Sequence, residues 1–379
     1  MLAKLKVRPS VEYLLLNTEV QQVVIGVSGG VDSAVAAHIL KQNKSYHVQA
    51  VFMQNWDEEG DDYCTAVEDF RDASGVCEVL GIPLSSVNFS EEYWKKVFAG
   101  FLEEYSAGRT PNPDILCNSE IKFKAFLDHA KTLGASKIAT GHYVQKGQAE
   151  DGSMKLLRGA DNNKDQSYFL HMLSQEQLAQ AVFPVGNLQK SDLRALAQDL
   201  NLQVHDKKDS TGICFIGERK FADFLAEYVA AKCGEIVTPD GDIVGRHNGI
   251  AFYTIGQRQG LGIGGNANYP TEPWYVAEKR IESNELIVVQ GHDHPRLHKN
   301  LLTAVKLHWI RKVPVDGFKC TAKTRYRQQD QECSIHFESD SSAIVKFDRS
   351  VRAITPGQSI VFYNGDECLG GGIIEKASH

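Results

Sequence analysis

The run Val23-Val24-Ile25-Gly26-Val27-Ser28-Gly29-Gly30-Val31-Asp32-Ser33 sets apolar residues, a glycine turn and hydroxyl side chains in the order an anion site needs. Four of its first five residues are apolar, which predicts a buried parallel strand. Ala34 to Leu40 then reads as an amphipathic helix. A strand feeding a glycine turn and a helix N-terminus aims backbone N–H groups and the positive end of the helix dipole at one point. Glycine lets a phosphate approach the backbone closely, and Ser28 and Ser33 can donate to its oxygens. The same residues also suit an ordinary strand-to-helix turn.

Two nucleotide motifs do not fit. A Walker loop ends in Gly-Lys-Ser/Thr, whereas no Lys follows here until Lys41. A dinucleotide fingerprint needs Gly-x-Gly-x-x-Gly, and Gly26, Gly29 and Gly30 have other spacing. At all six positions Ser28-Gly29-Gly30-Val31-Asp32-Ser33 resembles the pyrophosphatase loop of the ATP-pyrophosphatase family. That resemblance implies cleavage of ATP to pyrophosphate and an adenylated substrate, and leaves the substrate open.

Two cysteines stand in settings suited to sulfur chemistry. Cys117 closes Arg109-Thr110-Pro111-Asn112-Pro113-Asp114-Ile115-Leu116-Cys117, whose prolines predict a rigid loop before a helix starts at Ser119. A thiol near a helix N-terminus has its thiolate favoured by the dipole. Cys214 lies in Ser210-Thr211-Gly212-Ile213-Cys214-Phe215-Ile216-Gly217, just after Asp206-Lys207-Lys208-Asp209, and lysines nearby favour a thiolate. A packed, inert thiol is the other reading of each. The eight cysteines include no C-x-x-C pair and no zinc spacing, so no metal site is expected.

The elements that must hold these residues follow from periodicity. Strand-like runs at 23–27, 48–53, 84–89 and 137–140 alternate with helical ones at 33–42, 65–80, 91–105 and 119–133. Such alternation predicts an α/β, doubly wound parallel sheet, with ligands beyond the carboxyl ends of its strands. Ser28 to Ser33, Met53 and Gly141-His142 fall there. A hairpin-like stretch follows at 147–158 and a helical pattern at 190–200; from Cys233 short strands separated by Asp240-Gly241, Gly291 and Pro356-Gly357 dominate. The expected division is a catalytic domain over 1–217 with 1–20 as an extension, a small central β-rich domain over 218–298, and a C-terminal β-barrel over 299–379.

At 379 residues, 42% hydrophobic and 23% charged, the chain has the composition of a globular protein with room for two or three cores. No apolar run reaches a membrane span, and Tyr13 to Leu16 is too short for a signal-peptide core, so a cytoplasmic protein with reduced thiols and no membrane partner is expected. The net charge of −7 argues against nonspecific nucleic-acid binding. Yet 303–327 holds seven Lys/Arg against Asp316 alone, which suits either a docked polyanion or a solvated strand face.

In order, the loop, Asn112-Pro113-Asp114 with Cys117, and Ser210 to Gly217 together resemble the tRNA-specific 2-thiouridylase family. Gly141-His142-Tyr143, Lys164-Asp165-Gln166-Ser167-Tyr168, Thr254-Ile255-Gly256-Gln257-Arg258, Arg325-Tyr326-Arg327 and Thr355-Pro356-Gly357-Gln358 extend the resemblance over all but about the first twenty residues. It implies that the C2 oxygen of the wobble uridine, position 34 of tRNA, is adenylated and then replaced by sulfur. Cys214 would carry a persulfide. Cys117 would release or resolve it, leaving a Cys117–Cys214 disulfide, and Asp114 would orient the base or handle its proton.

By the same resemblance Gly26, Val27, Ser28, Gly29, Gly30, Val31, Asp32, Ser33, Met53 and Gly141 would hold ATP, a substrate arriving with Mg2+. Asn112, Pro113, Asp114, His142, Lys164, Asp165, Gln166, Arg325, Tyr326 and Gln358 would meet the target base and the tRNA anticodon stem-loop, with 303–327 as part of a barrel clamp. A sulfur-carrier protein or cysteine desulfurase relay would be a partner. Three alternatives stay open: another ATP-pyrophosphatase ligase without persulfide chemistry, a nonenzymatic RNA-binding protein, and an iron–sulfur protein using Cys117 and Cys214 as ligands.

Overall fold

The computed structural model describes residues 20–56, 66–208, 221–264 and 269–379. The first sheet is parallel throughout, in the order β3-β2-β1-β4-β7, from β1 (Gln21–Val27), β2 (Tyr46–Gln54), β3 (Leu84–Asn88), β4 (Lys137–Ala139) and β7 (Ala181–Val182). Side chains alternate across its central strand. Val23, Ile25 and Val27 pack with helices Val31–Gln42, Ala66–Leu80 and Lys190–Asp199, while Val24 packs with the helical stretches 90–106 and 113–132. A strand buried on both faces must be apolar at every position, which is why it reads as a continuous run. Strand order reverses between β1 and β4, so the crevice at their carboxyl ends is the sheet's switch point.

Helix 113–132 begins earlier than the prolines suggested. Asn112 caps it, its side chain accepting from Asp114 N at 3.1 Å, and Pro113 occupies the first turn, where a missing N–H costs no bond. Cys117 is therefore not a loop thiol. It lies one turn inside a helix, 1% exposed, where the winding loosens to a π-helical stretch over Cys117–Ala125.

The central sheet runs β10-β11-β8-β9, from β8 (Gly234–Val237), β9 (Ile243–His247), β10 (Trp274–Arg280) and β11 (Glu285–Gln290). The C-terminal strands β12 (His298–Trp309), β13 (Phe318–Lys323), β14 (Gln331–Ser339), β15 (Ser342–Arg352), β16 (Ser359–Asn364) and β17 (Glu367–Ser378) close into a barrel through β12–β17 pairing. The hairpin β5 (Val144–Gln148) and β6 (Met154–Arg158) leaves the first sheet and joins this one, Leu156 and Leu157 pairing with Cys368 and Glu367. Arg158 stacks 3.7 Å above the Tyr363 ring and bonds Asp330 at 2.6 Å, pinning that junction. Among the described residues no helix is long and apolar enough to cross a membrane.

Candidate functional site

The glycine turn is shaped by contacts that leave its outer side open. Gly29 has φ +72°, and a Cβ there would overlap the Asp69 backbone. Ser33 Oγ accepts from Ser28 N at 3.1 Å and donates to Gly30 O at 3.0 Å, closing the turn on itself. Gly30 is the N-cap of Val31–Gln42 and makes no side-chain cap bond, so nothing of its own covers the first amides. Ser28 is exposed at the mouth. The arrangement presents N–H donors and a helix dipole outward.

Gly141 and Met53 close around this turn. A Cβ on Gly141 would stand 2.7 Å from Ser33 N, and one on Gly26 would stand 2.8 Å from Met53 Cε. Gly26, Val27, Ser28, Gly29, Gly30, Val31, Asp32, Ser33, Met53 and Gly141 thus share one crevice at the ends of β1, β2 and β4. Asp32 is locked from above: its Oδ1 accepts from Lys190 Nζ at 2.6 Å and from Tyr143 OH at 2.7 Å.

Helix 113–132 runs back against the sheet and links the crevice to the cysteine. The Phe126 ring lies 3.4 Å from the point a Gly26 Cβ would occupy. Cys117 lies nine positions earlier, toward the N-terminal end of the same helical stretch. Asn112, Pro113 and Asp114 sit at its tip. Burial holds the half-buried Asp114 carboxyl above the ordinary carboxylate range, with the Lys122 charge opposing. Buried His142 is pushed well below its ordinary 6.5 by desolvation and then by Lys122, so it is neutral at pH 7; its Nδ1 lies 2.8 Å from Thr140 Oγ1. A carboxyl whose proton is held more tightly than usual, under the influence of the Lys122 charge, has the chemistry to orient a base and exchange a proton with it.

Other expected RNA contacts are engaged internally. Asp165, 5% exposed, accepts from Gly159 N, Ser167 N and Ser167 Oγ at 2.9–3.1 Å. A buried carboxylate with these acceptors engaged holds the 159–167 loop. Its half-buried neighbour Gln166 is bonded to Tyr143 both ways, Oε1 accepting from Tyr143 N at 2.9 Å and its own N donating to Tyr143 O at 3.0 Å. Lys164 is half-buried on that loop.

Arg325 Nη2 donates to Ile255 O, Ala353 O and Thr355 Oγ1, tying the turn at Ile255, between β9 and β10, to the segment that follows β15. Tyr326 packs its ring 4.4 Å from that of Phe169. Gln358 Nε2 donates to Thr110 O at 2.8 Å and Pro111 O at 3.4 Å. In 303–327, Arg311 pairs with Glu367 and Asp151, Lys312 with Asp151, and Lys323 with Asp330. Much of that segment's charge is answered within the protein, leaving Lys306, Lys319 and Arg327 exposed.

Cys214 lies outside the described residues, as does all of 209–220. Among the described residues no three His, Cys, Asp or Glu form a group that could hold a metal. Sequence reasoning assigned no role to Lys190 or Lys122. Lys190 carried one signal, a cation in the first turn of a helix, where the dipole disfavours it.

Three family models tile the chain: the tRNA methyl transferase HUP domain over 21–218, the tRNA methyl transferase PRC-barrel domain over 222–290, and the aminomethyltransferase beta-barrel domain over 299–374. The tRNA-specific 2-thiouridylase MnmA of Francisella tularensis subsp. holarctica (strain FTNF002-00 / FTA) is 56% identical over 358 residues, 94% of this chain and 99% of its own. The chain belongs to the tRNA-specific 2-thiouridylase family. The same enzyme of F. tularensis subsp. novicida (strain U112) matches to the same extent. Although the family models speak of methyl transfer, these thiouridylases match almost end to end and carry the assignment. Among solved structures, the U34-tRNA thiolase NcsA from Methanococcus maripaludis with its [4Fe-4S] cluster is a distant likeness. It is 20% identical over 55% of this chain and 63% of its own, with a TM-score of 0.34.

Proposed function

We propose that this chain thiolates the wobble uridine of tRNA in two stages, with ATP bound at Gly26 to Ser33, Met53 and Gly141. The observation that supports this reading is that helix 113–132, whose first turns carry Asn112, Pro113, Asp114 and Cys117, packs its Phe126 ring 3.4 Å from the point a Gly26 Cβ would occupy, on the strand that feeds the glycine turn. The uridine C2 oxygen attacks the α-phosphate of ATP, and pyrophosphate leaves toward the loop amides. Asp114 orients the base and handles its N3 proton. Magnesium enters with the phosphates, for which one or two carboxylates suffice.

A persulfide on Cys214 then supplies sulfur. Either its terminal sulfur attacks C2 and displaces AMP, after which Cys117 attacks the Cys214 sulfur, or Cys117 attacks first and frees sulfide to displace AMP. Both routes end in 2-thiouridine and a Cys117–Cys214 disulfide, which takes two electrons from a reductant before the next turnover. The sulfur reaches Cys214 from a carrier or desulfurase relay. An iron–sulfur route would draw on Cys117 and Cys214 as ligands, and iron analysis after anaerobic preparation separates it.

The working division is a catalytic unit over 1–217, a central unit over 218–298 and a barrel over 299–379, with the tRNA anticodon stem-loop held by His142, Lys164, Tyr326 and exposed cations of 303–327. The test is mass spectrometry of tRNA nucleosides after incubation with ATP and a persulfide donor. The reading expects 2-thiouridine with one AMP and one pyrophosphate per base. Pyrophosphate release without any thiolated nucleoside would instead favour a ligase that shares the loop alone.

A further inference from the structure

A cavity of about 380 Å³ opens where three parts of the chain meet, and it shares no residue with the nucleotide crevice. The segment ahead of the Asn112 cap contributes 107–110, the central sheet 277–279 on β10, and the barrel 353–356 and 376–377. That size lies within the range of small-molecule sites. Five cations line it, Arg109, Lys279, Arg296, Lys299 and Lys376, against one acid, Glu278, which already lies 3.6 Å from Arg280. Arg109 is paired with Glu104. Among the described residues no carboxylate comes within ion-pair distance of the other four.

Lys279 shows what the lining lacks. It is half-buried, its Nζ donates to Gly108 O at 3.0 Å, and burial pushes its ammonium down to about 8. The carbonyl answers one of three N–H donors and leaves the charge uncompensated. An ammonium withdrawn from water is ordinarily paired with an anion, and this one lines a cavity instead. The remaining walls set the kind of anion. Ile255, Ile281, Leu297 and Ile354 offer apolar surface beside the cations, which suits a compact charged end on a less polar body. Lysine binds phosphate as a point charge, and several cations together match a dianion better than a carboxylate.

We infer that this cavity is a binding site for a small phosphate monoester, its phosphate held by Lys279, Lys299 and Arg296 and its body lying against Ile255 and Ile281. The ligand supplies the counter-charge that the chain does not. It also bridges the three parts of the chain at Thr110, two residues before the helix cap. The site is separate from the ATP-binding reading above and does not depend on it.

The test uses pyridoxal phosphate as a probe on the full chain. Its aldehyde condenses with a lysine amine with loss of water, and borohydride reduces the imine to a secondary amine that peptide mass spectrometry locates. Pyridoxal, which lacks the phosphate, is the control, and exposed Lys44 is the internal standard. The ratio of Lys279 to Lys44 labelling should be about tenfold higher with the phosphate than without it, as charge-assisted bonds to a dianion require. Phenyl phosphate should protect Lys279. Arg296→Gln combined with Lys299→Gln should lower the ratio about fivefold at an unchanged melting temperature. Equal ratios for the two aldehydes, or a double variant that labels like wild type, would overturn the inference. Protection by tRNA but not by phenyl phosphate would overturn it too, and would assign the cations to an RNA backbone.

Discussion

Gln358 of the barrel and Thr110 of the catalytic unit are joined across 248 positions, Gln358 Nε2 donating to Thr110 O at 2.8 Å. The contact is reciprocal. Thr110 N donates to Pro356 O at 3.1 Å, and Gly357, at φ +91°, lies so close that a Cβ would stand 2.9 Å from Thr110 N. Thr110 is two residues before Asn112, the cap of the helix that carries Asp114 and Cys117. The barrel thus fixes the entry to the helix that carries the proposed sulfur site.

Gln358→Leu should therefore slow thiolation without weakening ATP binding. Leaving the Thr110 and Pro111 carbonyls unpaired costs about 1–3 kcal/mol, and a helix tip displaced by part of an ångström loses about tenfold in rate. Steady-state thiolation beside nucleotide titration checks this. An equal loss in both measurements would place the effect in general folding instead.

The two cysteines should divide from the loop in single-turnover assays. Cys117→Ser and Cys214→Ser should release pyrophosphate once per tRNA bound, and neither should yield 2-thiouridine, because adenylation needs no thiol. Ser28→Ala should slow both steps together, by about tenfold for a lost phosphate donor. Thiolated nucleoside from the Cys117→Ser protein would remove Cys117 from the mechanism.

What could be read in advance and what could not divides along physical lines. The alternation at 23–27 and 33–42 was legible because a strand buried on both faces and its following helix leave local patterns. The helix start at Pro113 was not, since proline breaks a helix inside but fits its first turn, and only the Asn112 cap settles which applies. Pairing of Leu156 with Cys368 and of Lys190 with Asp32 joins residues 212 and 158 positions apart, and no local period encodes such contacts. The burial of Asp165 was hidden for another reason: an acid in a polar loop looks exposed until the three donors around it are seen.

Gly29→Ala isolates the shape of the glycine turn from its charge. At φ +72° an L-residue pays about 1–2 kcal/mol in backbone strain, and the added methyl also meets the Asp69 backbone, which cannot rotate away. ATP affinity should fall by at least about tenfold and the melting temperature by several degrees. Gly134→Ala is the control. It shares a positive φ of 82°, but its Cβ would meet nothing within 4 Å, so it should cost stability alone.

Stability should fall on the acid side, and one buried imidazole accounts for a defined part of it. His171 is fully buried beneath the barrel, its Nδ1 2.8 Å from Tyr168 O and its Nε2 without a hydrogen-bond partner among the described residues. Burial pushes its pKa down from 6.5 to about 4. In that window the unfolded chain binds a proton at this ring and the folded chain does not, so unfolding gains as pH drops from 6.5 toward 4. Over pH 7 to 5 the one group should remove about 2 kcal/mol. His142 acts in the same direction. Urea unfolding at pH 7, 6 and 5 should show His171→Gln losing that much less than wild type across the range. Parallel pH dependences for the two proteins would mean that His171 is protonated in the folded state and that its pocket admits a counter-charge.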